Sequence, residues 1–252
     1  MFNRSENSRR NFISASAASI ASLAIPQMLS AAALKTKKVE LNTNDVILFQ
    51  GDSITDWGRS RTETTGPTAA ALGNGYAFLT AARLLRQYPE KNLTLYNRGI
   101  SGNKVYQLAD RWDADCLNLK PNVLSIMIGV NDFWHTLTNG YKGTVDVYRA
   151  DYIKLLDRTK QALPDVKLII GEPFFVNGIR KEDAQWHPAF DEYQKAAREI
   201  ADTYHAVFIP YQSIFNEAVK LATPKYWVND GVHPGIAGQS LMTQALTEVF
   251  KG

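Results

Sequence analysis

From Lys38 onward, apolar residues gather in short unbroken runs that alternate with longer amphipathic stretches. The runs predict strands over Asp45–Gln50, Leu93–Asn97, Val123–Ile128, Lys167–Ile170 and Ala206–Pro210, the middle ones apolar throughout, as in a sheet covered on both faces. Between them, helices are predicted over Gly75–Gln87, Lys104–Leu117, Val147–Leu163 and Phe190–Tyr204, with a closing helix over Ile236–Phe250. In the fourth of these Tyr193, Ala196, Ala197 and Ile200 fall at helical spacing, with Lys195, Arg198 and Glu199 on the other face. Strand and helix in this alternation predict a parallel, doubly wound sheet with right-handed crossovers.

Three connections are longer than crossovers require: Trp57–Asn74, Phe133–Asp146 and Pro173–His187. Loops of this length are usually functional. All three follow strands on the same side of the sheet, so they are expected to wall a cleft there.

The first 33 residues break the pattern. Arg9-Arg10 precedes a weakly apolar, Ala/Ser-rich stretch from Ser14 to Leu29, and Ala31-Ala32-Ala33 supplies small residues suited to cleavage. This resembles a twin-arginine export signal, which implies the twin-arginine export machinery as a partner and a periplasmic or secreted protein. A stable membrane anchor is disfavoured, because Pro26 and the many Ala and Ser interrupt the apolar run. Residues 34–252 then form one expected domain. Without the leader the chain carries 25 basic and 24 acidic residues, since Arg4, Arg9, Arg10 and Glu6 lie within it. That balance leaves no electrostatic footprint for nucleic acid. The single cysteine, Cys116, excludes an intrachain disulfide and reads as a small buried apolar residue.

Candidate chemistry sits at the expected strand ends. Gly51-Asp52-Ser53-Ile54 follows the first strand and puts a hydroxyl at the tip of a tight turn, where open α/β sheets collect function. Asn97 to Asn103 follows the second strand, Gly129-Val130-Asn131-Asp132 the third, and Asp230-Gly231-Val232-His233-Pro234 lies near the C-terminus. Together they supply what acyl transfer to serine requires. Ser53 is the candidate nucleophile, His233 the base, and Asp230, three residues earlier, the acid that fixes the imidazole tautomer. Oxyanion donors are expected from the Ser53 N–H, a glycine N–H after the second strand, of which Gly102 is the better placed, and the Asn131 amide. Singly, each has a plainer use: Ser53 and Asn131 as helix caps, Gly102 as a turn, Asp230 as an Asx-turn, His233 as a surface histidine. Four such blocks in order at four strand ends outweigh those uses.

The blocks GDSIT, NRGISGN, GVND and DGVHP resemble the four signature blocks of the SGNH, or GDSL, hydrolases, and they span nearly the whole chain after the leader. The resemblance implies a flavodoxin-like three-layer α/β/α sandwich with a five-stranded parallel sheet, and esterase or lipase chemistry without a metal or other cofactor. It carries the family's four residues onto Ser53, Gly102, Asn131 and His233, and the triad acid onto Asp230. An α/β-hydrolase elbow is weak, because Thr55 stands where that motif needs glycine. His135, His187 and His205 are scattered with no metal-ligand spacing, and Gly73-Asn74-Gly75 lacks the context of a dinucleotide loop.

GDSIT continuing into Asp56-Trp57-Gly58-Arg59 is similar to bacterial members related to acetylxylan and rhamnogalacturonan acetylesterases. This implies a small-molecule or polysaccharide acetyl ester as substrate. A lysophospholipase or thioesterase of the same family is the alternative, and a sugar-binding module without catalysis a third reading. Trp57, Trp134 and Trp186 lie on the three long connections and are the expected substrate-binding aromatics.

Overall fold

The computed structural model describes residues 38–63 and 66–252. The export leader expected over residues 1–33 lies outside them. Five parallel strands form the central sheet: β2 (Val46–Gly51), β3 (Thr94–Asn97), β4 (Val123–Met127), β5 (Lys167–Gly171) and β6 (Val207–Ile209), in the order β3-β2-β4-β5-β6. Each is one of the predicted runs, moved by a residue at most ends. β4 is buried at every position because helices cover both its faces. The register sets Gly51 beside Met127 and Gly171 beside Ile209, so the strands finish together at one end of the sheet.

Two groups of helices make the outer layers. α3 (Tyr76–Gln87) buries Tyr76, Ala77, Thr80, Ala81 and Leu84, the spacing of one helical face, and packs on α11 (Ile236–Thr247). On the other side α7 (Val145–Ala162) packs between α4 (Val105–Asp110) and α8 (Ala189–Thr203). The architecture is the three-layer α/β/α sandwich that the sequence pattern and the resemblance led us to expect. Cys116 is buried in its core.

Four elements depart from expectation. The helix expected over Lys104–Leu117 breaks at Arg111 into α4 and a short α5 (Trp112–Asp115). Arg111 turns its side chain back to the Arg98 carbonyl, Asn103 Oδ1 and Asp115, and this tertiary grip overrides a local pattern that runs through the break. The connection Phe133–Asp146 begins as helix, because α6 (Val130–Thr138) starts directly after β4. A helix not foreseen at all, α9 (Tyr211–Ala218), follows β6. The closing helix stops at Thr247, and Phe250–Lys251 (β7) instead pairs in parallel with Val39–Glu40 (β1). Three one-turn helices complete the fold: α1 (Ser53–Asp56), α2 (Ala69–Leu72) and α10 (Pro224–Trp227).

Candidate active site

The chain leaves β2 at Gly51, and Asp52 caps α1 by accepting the Ile54 N–H on Oδ1 at 3.0 Å. Ser53 is thereby the first residue of α1, where its own N–H has no intrahelical acceptor. Its Oγ lies 2.8 Å from His233 Nε2. On the far side of the ring, Nδ1 lies 2.9 Å from Asp230 Oδ2. An ionised carboxylate only accepts, so the proton sits on Nδ1 and Nε2 is free to accept from the serine hydroxyl. Asp230 Oδ1 meanwhile takes the backbone N–H of Val232 at 3.1 Å and of His233 at 2.8 Å. Burial alone would raise the Asp230 pKa, but the bonds from His233 and Val232 outweigh it and hold the carboxyl well below the usual range. The whole turn is clamped by an Asn229 N–H to His233 carbonyl bond of 2.7 Å and a bridge from Val228 to Pro234.

The turn after β3 meets α1 backbone to backbone. A Cβ on Gly99 would lie 2.5 Å from the Asp56 nitrogen, so no other residue fits there without displacing α1. Asn97 reaches from the strand end to the Thr55 and Leu72 carbonyls at 2.7 and 2.8 Å, and Arg59 and Arg61 both donate to the Gly99 carbonyl at 2.7 Å. Asp56 Oδ2 accepts both the N–H and the hydroxyl of Ser101, at 2.9 and 2.6 Å, and pairs with Arg61. Gly102 follows at φ +81°, a conformation that favours glycine. The N–H groups on either side of it are used by Asp56 and by the Ile100 carbonyl. Asn131, buried in the first turn of α6, donates one amide hydrogen to the Asn103 carbonyl at 3.2 Å, which orients its side chain.

Two acids lie beneath this arrangement. Asp52 and Asp132 are fully buried, each with one carboxyl oxygen lacking a partner, and burial pushes both up to about 7. The charge of Asp52 adds to the shift at Asp132, while His233 pulls Asp52 down.

The three long connections all reach the site. Trp57 and Trp134 flank the imidazole, each ring centroid 6.1 Å from that of His233, and both are partly exposed. From the third connection the Val176 N–H donates to the Gly231 carbonyl at 2.8 Å. The expectation of an exposed face on Trp186 is corrected, since only 3% of the residue is exposed and its ring is sandwiched among Phe133, Phe175 and Phe190. Sequence reasoning also missed Arg180, whose guanidinium lies 2.7 Å from Asp230 Oδ2. A residue fifty positions away on a polar loop carries no periodic or motif signal for such a contact. A cavity of about 500 Å³ elsewhere is lined by Lys38, Lys160, Lys167, His205 and Lys251; it opens at the other end of the sheet, away from Ser53.

Known proteins share both sequence and fold. A family model described as GDSL-like lipase/acylhydrolase matches residues 49–241. An acetylxylan esterase of Geobacillus stearothermophilus is 35% identical over 209 residues, covering 82% of this chain and 94% of the relative. A crystal structure of a GDSL-like lipase from Parabacteroides merdae superposes with a TM-score of 0.81 at 50% identity, covering 84% of this chain and 98% of the other. The Geobacillus acetylxylan esterase structure gives 0.76 at 33% identity, over 84% and 96%. Variants of that enzyme described as catalytic mutants replace a serine, or an aspartate and a histidine three positions apart, by alanine.

Proposed function

The chain belongs to the GDSL-like lipase/acylhydrolase family and is a carboxylic ester hydrolase, and from that premise we propose that it removes acetyl groups from a carbohydrate of the acetylxylan type. The observation that carries this reading is the unbroken hydrogen-bonded line from Ser53 Oγ through His233 to Asp230. The aspartate and histidine stand three residues apart, as do the two replaced in the Geobacillus catalytic mutants.

In this mechanism Ser53 Oγ adds to the acetyl carbonyl carbon while its proton passes to His233 Nε2. The oxyanion is held by the Ser53 and Gly102 N–H groups and by the remaining amide hydrogen of Asn131. Collapse breaks the bond to the sugar oxygen, which takes the proton from His233. Water then attacks the acetyl-serine with His233 again as base, releasing acetate and restoring the hydroxyl. Asp230 keeps the imidazole in the required tautomer and stabilises the imidazolium. The faces of Trp57 and Trp134 suit the C–H faces of sugar rings. Export is supported by Arg9 and Arg10 ahead of the Ala/Ser-rich leader, and lysine at both is expected to retain the enzyme in the cytoplasm.

The test is purified Ser53→Ala protein against acetyl, butyryl and octanoyl esters and acetylated xylo-oligosaccharides. Wild type is expected to prefer acetyl esters and the variant to be inactive while folded. Residual turnover in Ser53→Ala would remove the nucleophile assignment, and a preference for octanoyl esters would favour the lysophospholipase reading.

A further inference from the structure

Asp230 Oδ2 accepts from two cation-capable donors at once, His233 Nδ1 at 2.9 Å and Arg180 at 2.7 Å. With two backbone N–H groups on Oδ1, the carboxylate accepts four hydrogen bonds. The guanidinium is not a loose surface group that happens to reach an acid. Its Cζ sits 4.9 Å from the centre of the Trp134 ring, which itself flanks His233. The loop that presents it is built around one carboxylate, because Asp183 accepts the backbone N–H groups of Gly178 at 2.5 Å, Ile179 at 2.9 Å and Arg180 at 3.3 Å.

Resting on the triad reading above, we propose that Arg180 is a positioning residue of the catalytic machinery: it fixes the Asp230 carboxylate and tempers the stabilisation that Asp230 gives to a protonated His233. The physical argument is one of shared charge. An isolated aspartate favours the imidazolium, whereas one already neutralised by a guanidinium on the same oxygen favours it less. The base therefore releases its proton to the leaving sugar more readily. Among the described residues, Asp52 interacts with the charge of His233, Asp56 and Asp132 interact in turn with Asp52, and the aromatic rings of Trp57 and Trp134 lie against the imidazole. Besides His233 itself, Arg180 is the cationic side chain paired with the Asp230 carboxylate among the described residues. Its side chain and that of Asp230 are 33% and 28% exposed, so solvent weakens the effect without cancelling it.

The experiment measures kcat and KM for a small aryl acetate against pH in wild type, Arg180→Gln and Arg180→Lys, with thermal melting as the check on folding. Arg180→Gln is expected to lower kcat roughly tenfold and to move the acid limb of kcat/KM upward by about 0.5–1 pH unit, at little change in KM. Arg180→Lys, which keeps the charge but not the planar fork, is expected to hold the limb near its wild-type position and recover part of kcat. Where the Gln variant does not fold, Arg180→Ala, which lets water fill the place of the guanidinium, serves for the same readout. An acid limb that stays in place when the charge is removed would overturn the proposal, as would a loss confined to KM, which would make Arg180 a substrate contact. A wild-type profile with no acid limb would instead overturn the histidine-base reading itself, so the two failures are told apart.

Discussion

Trp186 lies flat on Phe175, with ring centroids 3.8 Å apart and planes 4° from parallel. Phe190 meets the same indole edge-on at 5.1 Å, and Phe133 closes the cluster. The third long connection is therefore anchored by its own aromatic core rather than held open for ligand. Trp186→Ala is expected to cost about 3–5 kcal/mol of stability, as for other buried aromatics truncated to alanine. Trp57→Ala, at a partly exposed ring beside His233, is expected instead to raise KM for acetylated xylo-oligosaccharide several-fold and leave KM for a small aryl acetate unchanged. Denaturant unfolding of both variants, with kinetics on the two substrates, separates the roles. Equal effects of Trp57→Ala on both substrates would count against a carbohydrate face there.

Asn131→Ala is expected to reduce kcat by about 10²–10³-fold, the usual loss for one oxyanion donor, with KM little altered. Steady-state kinetics on aryl acetate read this directly. A change in KM alone would make Asn131 a ground-state contact. Because its amide also holds the Asn103 carbonyl, Asn131→Asp tests whether an oxygen in its place repels the developing charge, and should be at least as damaging.

The sheet was legible because each central strand is a continuous apolar run ended by glycine or a polar turn, and burial on both faces demands that pattern. Three of the four motif blocks were legible for the same reason, since strand ends fix where they must lie; the fourth, Asp230 to Pro234, was expected at a strand end but lies between α10 and α11, and only its own residue pattern revealed it. What escaped reading depends on contacts between residues far apart in the chain. The break at Arg111 is set by the Arg98 carbonyl and Asn103, β7 by a partner more than two hundred residues earlier, and Arg180 by an aspartate fifty residues on. Trp186 was misjudged because a tryptophan on a long loop gives no sign in sequence of whether phenylalanines will enclose it.

The buried acids predict a pH-dependent stability. Asp132 titrates at about 7 in the folded protein, against 3.8 for an unperturbed aspartate, so between those values the unfolded chain has lost a proton that the folded chain keeps. Its contribution is fully present below about pH 4 and is lost as the pH rises through 7. Asp132→Asn keeps an oxygen for the Val105 N–H and cannot ionise. It is expected to raise Tm at pH 8 by at least about 2–4 °C, what 1 kcal/mol is worth in a chain of this size, with little gain at pH 4. Melting curves at the two pH values decide it. An equal shift at both would mean that ionisation of Asp132 is not what the fold resists.

Asp56 links α1 to the turn that bears Gly102, and this link makes the most specific prediction about geometry. One carboxyl oxygen receives the N–H and the hydroxyl of Ser101 and also pairs with Arg61, while the Asp56 N–H closes α1 on the Asp52 carbonyl at 2.9 Å. Asp56 thus joins Asn97, Arg59 and Arg61 in holding the segments of Ser53 and Gly102 in register. Asp56→Asn retains the size and one acceptor but removes the charge that binds three donors together. If the proposed oxyanion role of the Gly102 N–H holds, kcat is expected to fall roughly tenfold as that group drifts out of place, with KM for aryl acetate changed by less than about twofold. Ser101→Ala, which removes only the hydroxyl bond, should cost no more than a few-fold. The discriminating measurement is the double variant with Asn131→Ala. If Asp56 acts by placing a donor in the same oxyanion site, the two losses should fall short of multiplying. Losses that multiply in full would assign Asp56 to folding of the loop instead, and a parallel drop in Tm would accompany them.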